Sequence, residues 1–232
     1  MEILAYAAAN LDLLAQLTLE HVVIVLVAVG GAILTGVPLG IAIAQRPALA
    51  APVIGVAGVV TTVPSIALFG LLLPVLALVG QGIGAVPAII AVFLYAHLPI
   101  VRNTYTALAG VDPSLREAAR GMGMTRRQRL RQVELPLATP VILAGVRTAV
   151  VTNIGVTAIA AYVGGGGLGT LISRGVSQSD PRQLVTGAVA VSLLAIAADL
   201  GLLWLQRRLA RGQSPPARRA SIPTRVAAVP QP

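Results

Sequence analysis

At 232 residues the chain has the size of one domain or one membrane bundle; it is 56% hydrophobic and only 11% charged, against roughly 25% charged in soluble domains. Its net charge of +9 comes from 17 basic residues, all of them arginine, concentrated at 116–131 and 207–225 beside apolar runs, and aromatics make up only 3% of the chain, which speaks for membrane orientation and against nucleic-acid binding. There is no cysteine, so disulfides and thiolate metal sites are excluded.

Residues 1–20 carry Glu2, Asp12 and Glu20 among Leu and Ala, which predicts an external interfacial helix rather than a span. No basic stretch precedes the first apolar run, so no cleaved signal peptide is read. About 20 apolar residues cross a bilayer. On that measure His21–Ala44, Pro52–Val79, Ile83–Val101, Thr139–Val163 and Leu184–Leu205 qualify, and they predict an all-α multipass bundle of about five spans over 21–208. The second is interrupted by Thr61-Thr62-Val63-Pro64-Ser65 and again by Pro74, which predicts a kinked helix or two pieces. The third carries Pro87 and Pro99. Residues 209–232, rich in proline and without apolar periodicity, predict a disordered tail.

Arginine placement sets the topology. With these spans, one side of the membrane receives Arg46, the block from Arg102 to Arg147 and the tail, while the other receives only Arg174 and Arg182. Basic loops stay in the cytoplasm. The N-terminus is therefore expected outside, and loop 112–136 and the C-terminus inside.

That loop holds the chain's most informative stretch, EAARGMGMTRRQRLRQVELP at 117–136. Asp112-Pro113-Ser114 predicts a capped helix start, with a short helix over Leu115–Met122 broken at Gly121 and Gly123. Thr125 is expected to cap a second helix through Val133, and Pro136 to end it before the fourth span. Small Ala118 and Ala119 admit a close partner, and Glu117 offers an acceptor. A basic loop that merely sets orientation is the plain alternative. The spacing of Glu117-Ala118-Ala119, Gly123 and Leu135-Pro136 resembles the EAA loop of ATP-binding-cassette importer permeases. With Thr62–Ala67, Leu98–Tyr105 and Gly164–Gly169, residues 20–208 are most similar to permeases for glycine betaine, choline or carnitine. Methionine permeases, which share the loop and the glycine run, are the nearest rival.

The resemblance implies a type I importer permease fold of the methionine-permease type in a prokaryotic inner membrane. It also implies a second permease subunit, identical or related, two cytoplasmic ATPases and an external binding protein. ATP and magnesium would belong to the ATPases; this chain, having no lysine-containing phosphate loop, is expected to need no cofactor and to catalyse nothing. The residues carried over for ATPase coupling are Glu117, Ala118, Ala119, Gly123, Met124, Thr125, Leu135 and Pro136.

Polar groups at membrane depth face a cavity or another helix. Thr61, Thr62, Pro64, Ser65, Asn153 and Thr157 are therefore candidates for a translocation path, with interhelical hydrogen bonding as the alternative. Arg147 and Asp199 fall in the same third of the bilayer and are candidates for an intramembrane ion pair, against snorkelling of Arg147. Gly164–Gly169 lacks the lysine of a phosphate loop and predicts a tight turn or close helix approach. His21 and His97 read as hydrogen-bonding groups at helix ends rather than metal ligands or proton carriers. An ion-driven transporter is a competing class that usually wants more titratable residues in its spans, and an intramembrane enzyme would want a nucleophile–base pair.

Overall fold

The computed structural model describes residues 2–210, and every regular element among them is helical. α1 (Glu2–Ala9) ends at Asn10, whose φ of −123° breaks the path, and α2 (Leu11–Gln45) then runs for 35 residues. At 1.5 Å per residue α2 is about 50 Å long, well beyond the roughly 30 Å apolar core of a bilayer. Residues 1–20 are not one separate helix: α1 stands apart, packed against the last helix, and Leu11–Glu20 continue into α2 without a break. The acidic group there is partnered: Glu20 accepts from Gln16 Nε2 at 3.0 Å and from the Gly167 N–H at 3.0 Å.

The second stretch folds as α3 (Ala50–Thr62) and α4 (Ser65–Ala77), which meet at 96°. The break falls at Val63 (ψ 125°), because a residue before proline is pushed out of the helical region. Pro74 breaks nothing. It lies inside α4, where neighbouring helices make such prolines tolerable in a membrane.

α5 (Ala85–Ala109) leads to two short helices, α6 (Pro113–Gly121) and α7 (Arg126–Arg129). A π turn over Leu130–Glu134 then joins α7 to α8 (Leu135–Ile159). Pro136 therefore opens a span rather than ending a helix. The Leu135 N–H bonds to the Leu130 carbonyl, five residues back, so the ladder is already displaced where the missing proline N–H falls. α9 (Gly169–Ser177) and α10 (Pro181–Ala210) complete the described bundle. Four helical stretches are long and apolar enough to cross a membrane, and the bent α3–α4 pair brings the number to five.

α5 is the hub, packed between α2 and α8. Ala28, Ala32, Ala91, Ala96 and Ala149 seal these interfaces. Lipid supplies no hydrophobic drive between helices, so small side chains and close backbones carry the packing. α3 buries only Ala50 and α4 only Phe69, and both turn Val56, Val59, Ile66 and Leu71 outward. One end of the bundle carries Gln45 and the α6–α7 hairpin; the other carries α1, the turn at Gly84 and the 164–169 loop, tied by the Gly84 N–H to the Val163 carbonyl at 3.0 Å.

Candidate functional site

The hairpin is a small, fully specified piece of folding. Asp112 Oδ1 accepts the Ser114 N–H at 2.9 Å, capping α6 with Pro113 at its first turn. At the far end the Gly123 N–H bonds to the Arg120 carbonyl at 2.9 Å, and the Met124 N–H to the Ala119 carbonyl at 3.1 Å. That pair of bonds is a Schellman termination, and it needs the φ of +78° that Gly123 adopts. Thr125 and Gln128 form a reciprocal capping box that starts α7. α6 starts at Pro113 and ends at Gly121, a residue or two off the Leu115–Met122 expected, and α7 yields to the π turn before Val133.

What locks the two arms together is Glu134, a residue the sequence reading passed over. The residue is 9% exposed, and its carboxylate accepts from Arg129 Nε at 2.7 Å and lies 3.5 Å from Arg116 Nε. Arg116 also donates through Nη2 to the Leu108 carbonyl, pinning α6 to the end of α5. The sequence signal was a lone acid among arginines at the mouth of an apolar span. The clamp leaves Glu117 and Ala118 exposed and Ala119 buried. Thr125 and Pro136 are exposed, Gly123 lies at the exposed corner, and Met124 and Leu135 are half-buried.

Deeper in the bundle, a cavity of about 570 Å³ is lined by Thr61, Thr62, Pro64 and Ser65 from the α3–α4 break and by Asn153 from α8. Tyr95, Arg102 and Asn103 of α5 join them, with Thr148 and Thr152. Tyr95 donates its hydroxyl to the Val63 carbonyl that the break sets free, and so holds the broken backbone at the wall. A tyrosine amid an apolar span, facing a proline-interrupted one, was the available signal. Asn153 is 1% exposed and donates to the Ala149 carbonyl at 2.8 Å, while its Oδ1 has no partner among the described residues. Thr157 is not brought to this cavity: it is fully buried and donates to the Asn153 carbonyl at 2.7 Å.

Arg147 of α8 and Asp199 of α10 meet in a two-pronged pair, Nε to Oδ1 at 2.5 Å and Nη2 to Oδ2 at 2.6 Å. The pair flanks a second pocket that shares Thr148 and Thr152 with the cavity. At the opposite end the glycine loop serves close approach: a Cβ on Gly169 would fall 2.0 Å from the Ala158 carbonyl oxygen. His21 is not at a helix end. It is fully buried in α2, with Nε2 3.0 Å from the Ile154 carbonyl oxygen. His97, in the body of α5, is 3.0 Å from the Thr35 hydroxyl. Among the described residues no three His, Asp or Glu gather as a metal site. Outside the spans, Asp180 caps α10, its carboxylate held down at about 2 by hydrogen bonds from Arg182 and then Gln183.

A bundle of apolar spans around a polar cavity, with a braced basic elbow at one end, defines a multipass membrane transport subunit. Residues 36–214 match the family described as "Binding-protein-dependent transport system inner membrane component". The chain belongs to that family. It is 56% identical over 209 residues to the Osmoprotectant import permease protein OsmW of Salmonella typhimurium, covering 90% of this chain and 95% of the relative. To the Choline transport system permease protein OpuBB of Bacillus subtilis it is 43% identical, covering 83% and 86%. The solved inward-facing MetNI methionine ABC transporter has a chain of the same fold, with a TM-score of 0.79 at 25% identity, over 87% of this chain and 98% of that one.

Proposed function

We propose that this chain is the permease of an ATP-driven importer that takes up osmoprotectants such as glycine betaine, choline or carnitine. The substrate class rests on the relatives: those at 43–56% identity are named for osmoprotectant or choline transport, while the methionine transporter stands at 25%. Methionine is accordingly the second reading.

The hairpin carries the mechanism. Glu117, Ala118, Ala119, Gly123, Met124, Thr125, Leu135 and Pro136 form the coupling surface for a separate cytoplasmic ATPase. Its support is the braced elbow itself: it is capped at both helix starts, Schellman-terminated at Gly123, clamped through Glu134 and joined without a gap to α8. A conformational change needs a contact that differs between two states, and an ATPase dimer that closes and opens supplies one. The arginine asymmetry supports placing this end in the cytoplasm and the N-terminus outside. Two permease subunits, two ATPases and an external binding protein make up the assembly.

The cavity at the α3–α4 break is the translocation path, walled by Thr61, Thr62, Pro64, Ser65 and Asn153. The unpartnered Asn153 Oδ1 favours a wetted wall, since a buried acceptor without a partner is costly in a dry one. Thr157 supports that wall from behind. The Arg147–Asp199 pair fixes α10 to α8 while satisfying two charges at membrane depth. Only Tyr95 among the cavity residues is aromatic, too little for a cage around a quaternary ammonium, so selectivity resides in the external binding protein.

The test is uptake of labelled glycine betaine into proteoliposomes holding the assembled transporter. Glu117→Arg abolishes ATP-driven uptake while leaving membrane insertion intact. Because the chain has no cysteine, a single Glu117→Cys reports its side by labelling. Labelling from outside the cell, or uptake driven by an ion gradient without ATPase, defeats the proposal.

A further inference from the structure

The clamp at Glu134 leaves a surplus of positive charge with a shape to it. Arg116, Arg120, Arg126 and Arg129 line, with Gln45 and Glu134, a pocket of about 220 Å³ between the hairpin and the end of α2. Four guanidinium groups there face one carboxylate. Glu134 is already engaged by Arg129 and Arg116. The guanidinium groups of Arg120 and Arg126 make no hydrogen bond or ion pair among the described residues. Like charges gathered around one pocket repel one another, so the arrangement favours an anion.

The pocket's position says which kind. Arg116 and Arg120 stand one turn apart on the same flank of α6, off the exposed Glu117–Ala118 surface, so the cradle is not the coupling face. Its other wall continues a stripe of α2: Leu34, Ile41 and Gln45 lie seven and four residues apart on one helix face, and Leu34 is 78% exposed. A lipid standing along that stripe brings its phosphate to the depth of Gln45, where the helix ends. Guanidinium forks match phosphate oxygens two at a time, and arginine clusters beside a span attract anionic headgroups.

We propose that the cradle of Arg116, Arg120, Arg126 and Arg129 is a binding site for a phosphate group, supplied by the headgroup of an anionic phospholipid seated against α2. Its occupant ties the hairpin to the membrane surface and offsets the repulsion among the arginines. The site is independent of which solute is carried.

The full chain, purified in detergent and stripped of lipid, is titrated with dioleoylphosphatidylglycerol and bound lipid is counted by native mass spectrometry. Wild type retains one phosphatidylglycerol per chain that neither phosphatidylcholine nor inorganic phosphate displaces at equal concentration. R120Q/R126Q weakens that binding about thirtyfold, each arginine near an anionic headgroup being worth on the order of fivefold. R127Q/R131Q removes the same charge from exposed positions outside the cradle and leaves binding within about twofold. R120K/R126K, which keeps charge but not the fork, falls between and serves if the Gln pair does not fold. Equal losses in R120Q/R126Q and R127Q/R131Q overturn the site in favour of diffuse charge, and so does full binding by R120Q/R126Q. Displacement by inorganic phosphate overturns the lipid as its source. If R120Q/R126Q keeps its lipid but, in a parallel purification of the assembled transporter, no longer retains the ATPase subunits, the cradle is a protein contact and the proposal fails.

Discussion

Substitution of Gly123 separates a backbone requirement from a steric one. Gly123 sits at φ +78°, and a Cβ built there meets nothing within 4 Å. Any penalty is therefore conformational. Alanine in the left-handed region costs about 1–2 kcal/mol, which shifts the closed elbow against its open forms about 5- to 30-fold. A β-branched residue is a genuine outlier there. Gly123→Val is expected to give up the two terminating bonds as well, each worth about 0.5–1.5 kcal/mol net, for a total of about 2–5 kcal/mol. Asparagine, which tolerates this region, costs least. ATP-driven glycine betaine uptake in proteoliposomes, normalised to inserted chain, should therefore fall in the order Gly, Asn, Ala, Val, with Val near background. Because the side of the loop exposed to a partner is otherwise unchanged, insertion stays intact throughout. Uptake by Gly123→Val equal to that of Gly123→Asn would refute the reasoning, since the left-handed backbone at this corner would then carry no penalty for a β-branched residue.

The Glu134 clamp is expected to hold the hairpin shut to proteases: Glu134→Gln loses a charge-assisted bond of about 1.5–3 kcal/mol, and trypsin should cut at Arg126–Arg131 markedly faster. An unchanged cutting rate means the arms are held by something else. Gly169→Ala drives a Cβ against the Ala158 backbone and should cost about 1–3 kcal/mol in thermal unfolding, whereas Gly155→Ala, with open space around it, should be near neutral; equal shifts would contradict the close approach. Arg147→Ala and Asp199→Ala should each lower thermal stability, with the double variant well short of their sum; strict additivity would mean the pair contributes nothing as a pair.

Much of the fold was written in runs of apolar residues. Their length against bilayer thickness marked the spans, and Pro64 marked the break between α3 and α4, because both signals are local. What depends on partners is not local. Glu20 is an acid beside an apolar run, and it is the acceptor for a glycine N–H almost 150 residues away in the chain. Pro136 looked like a stop, yet a π turn just before it absorbs the missing donor.

The same division runs through the candidate site. Local chemistry in the sequence determined the hairpin: Asp112-Pro113, Gly123 and Thr125 with Gln128 each act within a few residues, so their spacing is their structure. It also determined that the chain lives in lipid. Tertiary structure alone decided which polar groups face one another. That Glu134 binds Arg129 and Arg116, that Tyr95 reaches the Val63 carbonyl, and that Thr157 turns away from the cavity are consequences of how helices rotate and cross. Helix rotation is set by packing summed over many small side chains on several elements, and no single stretch of sequence carries that sum.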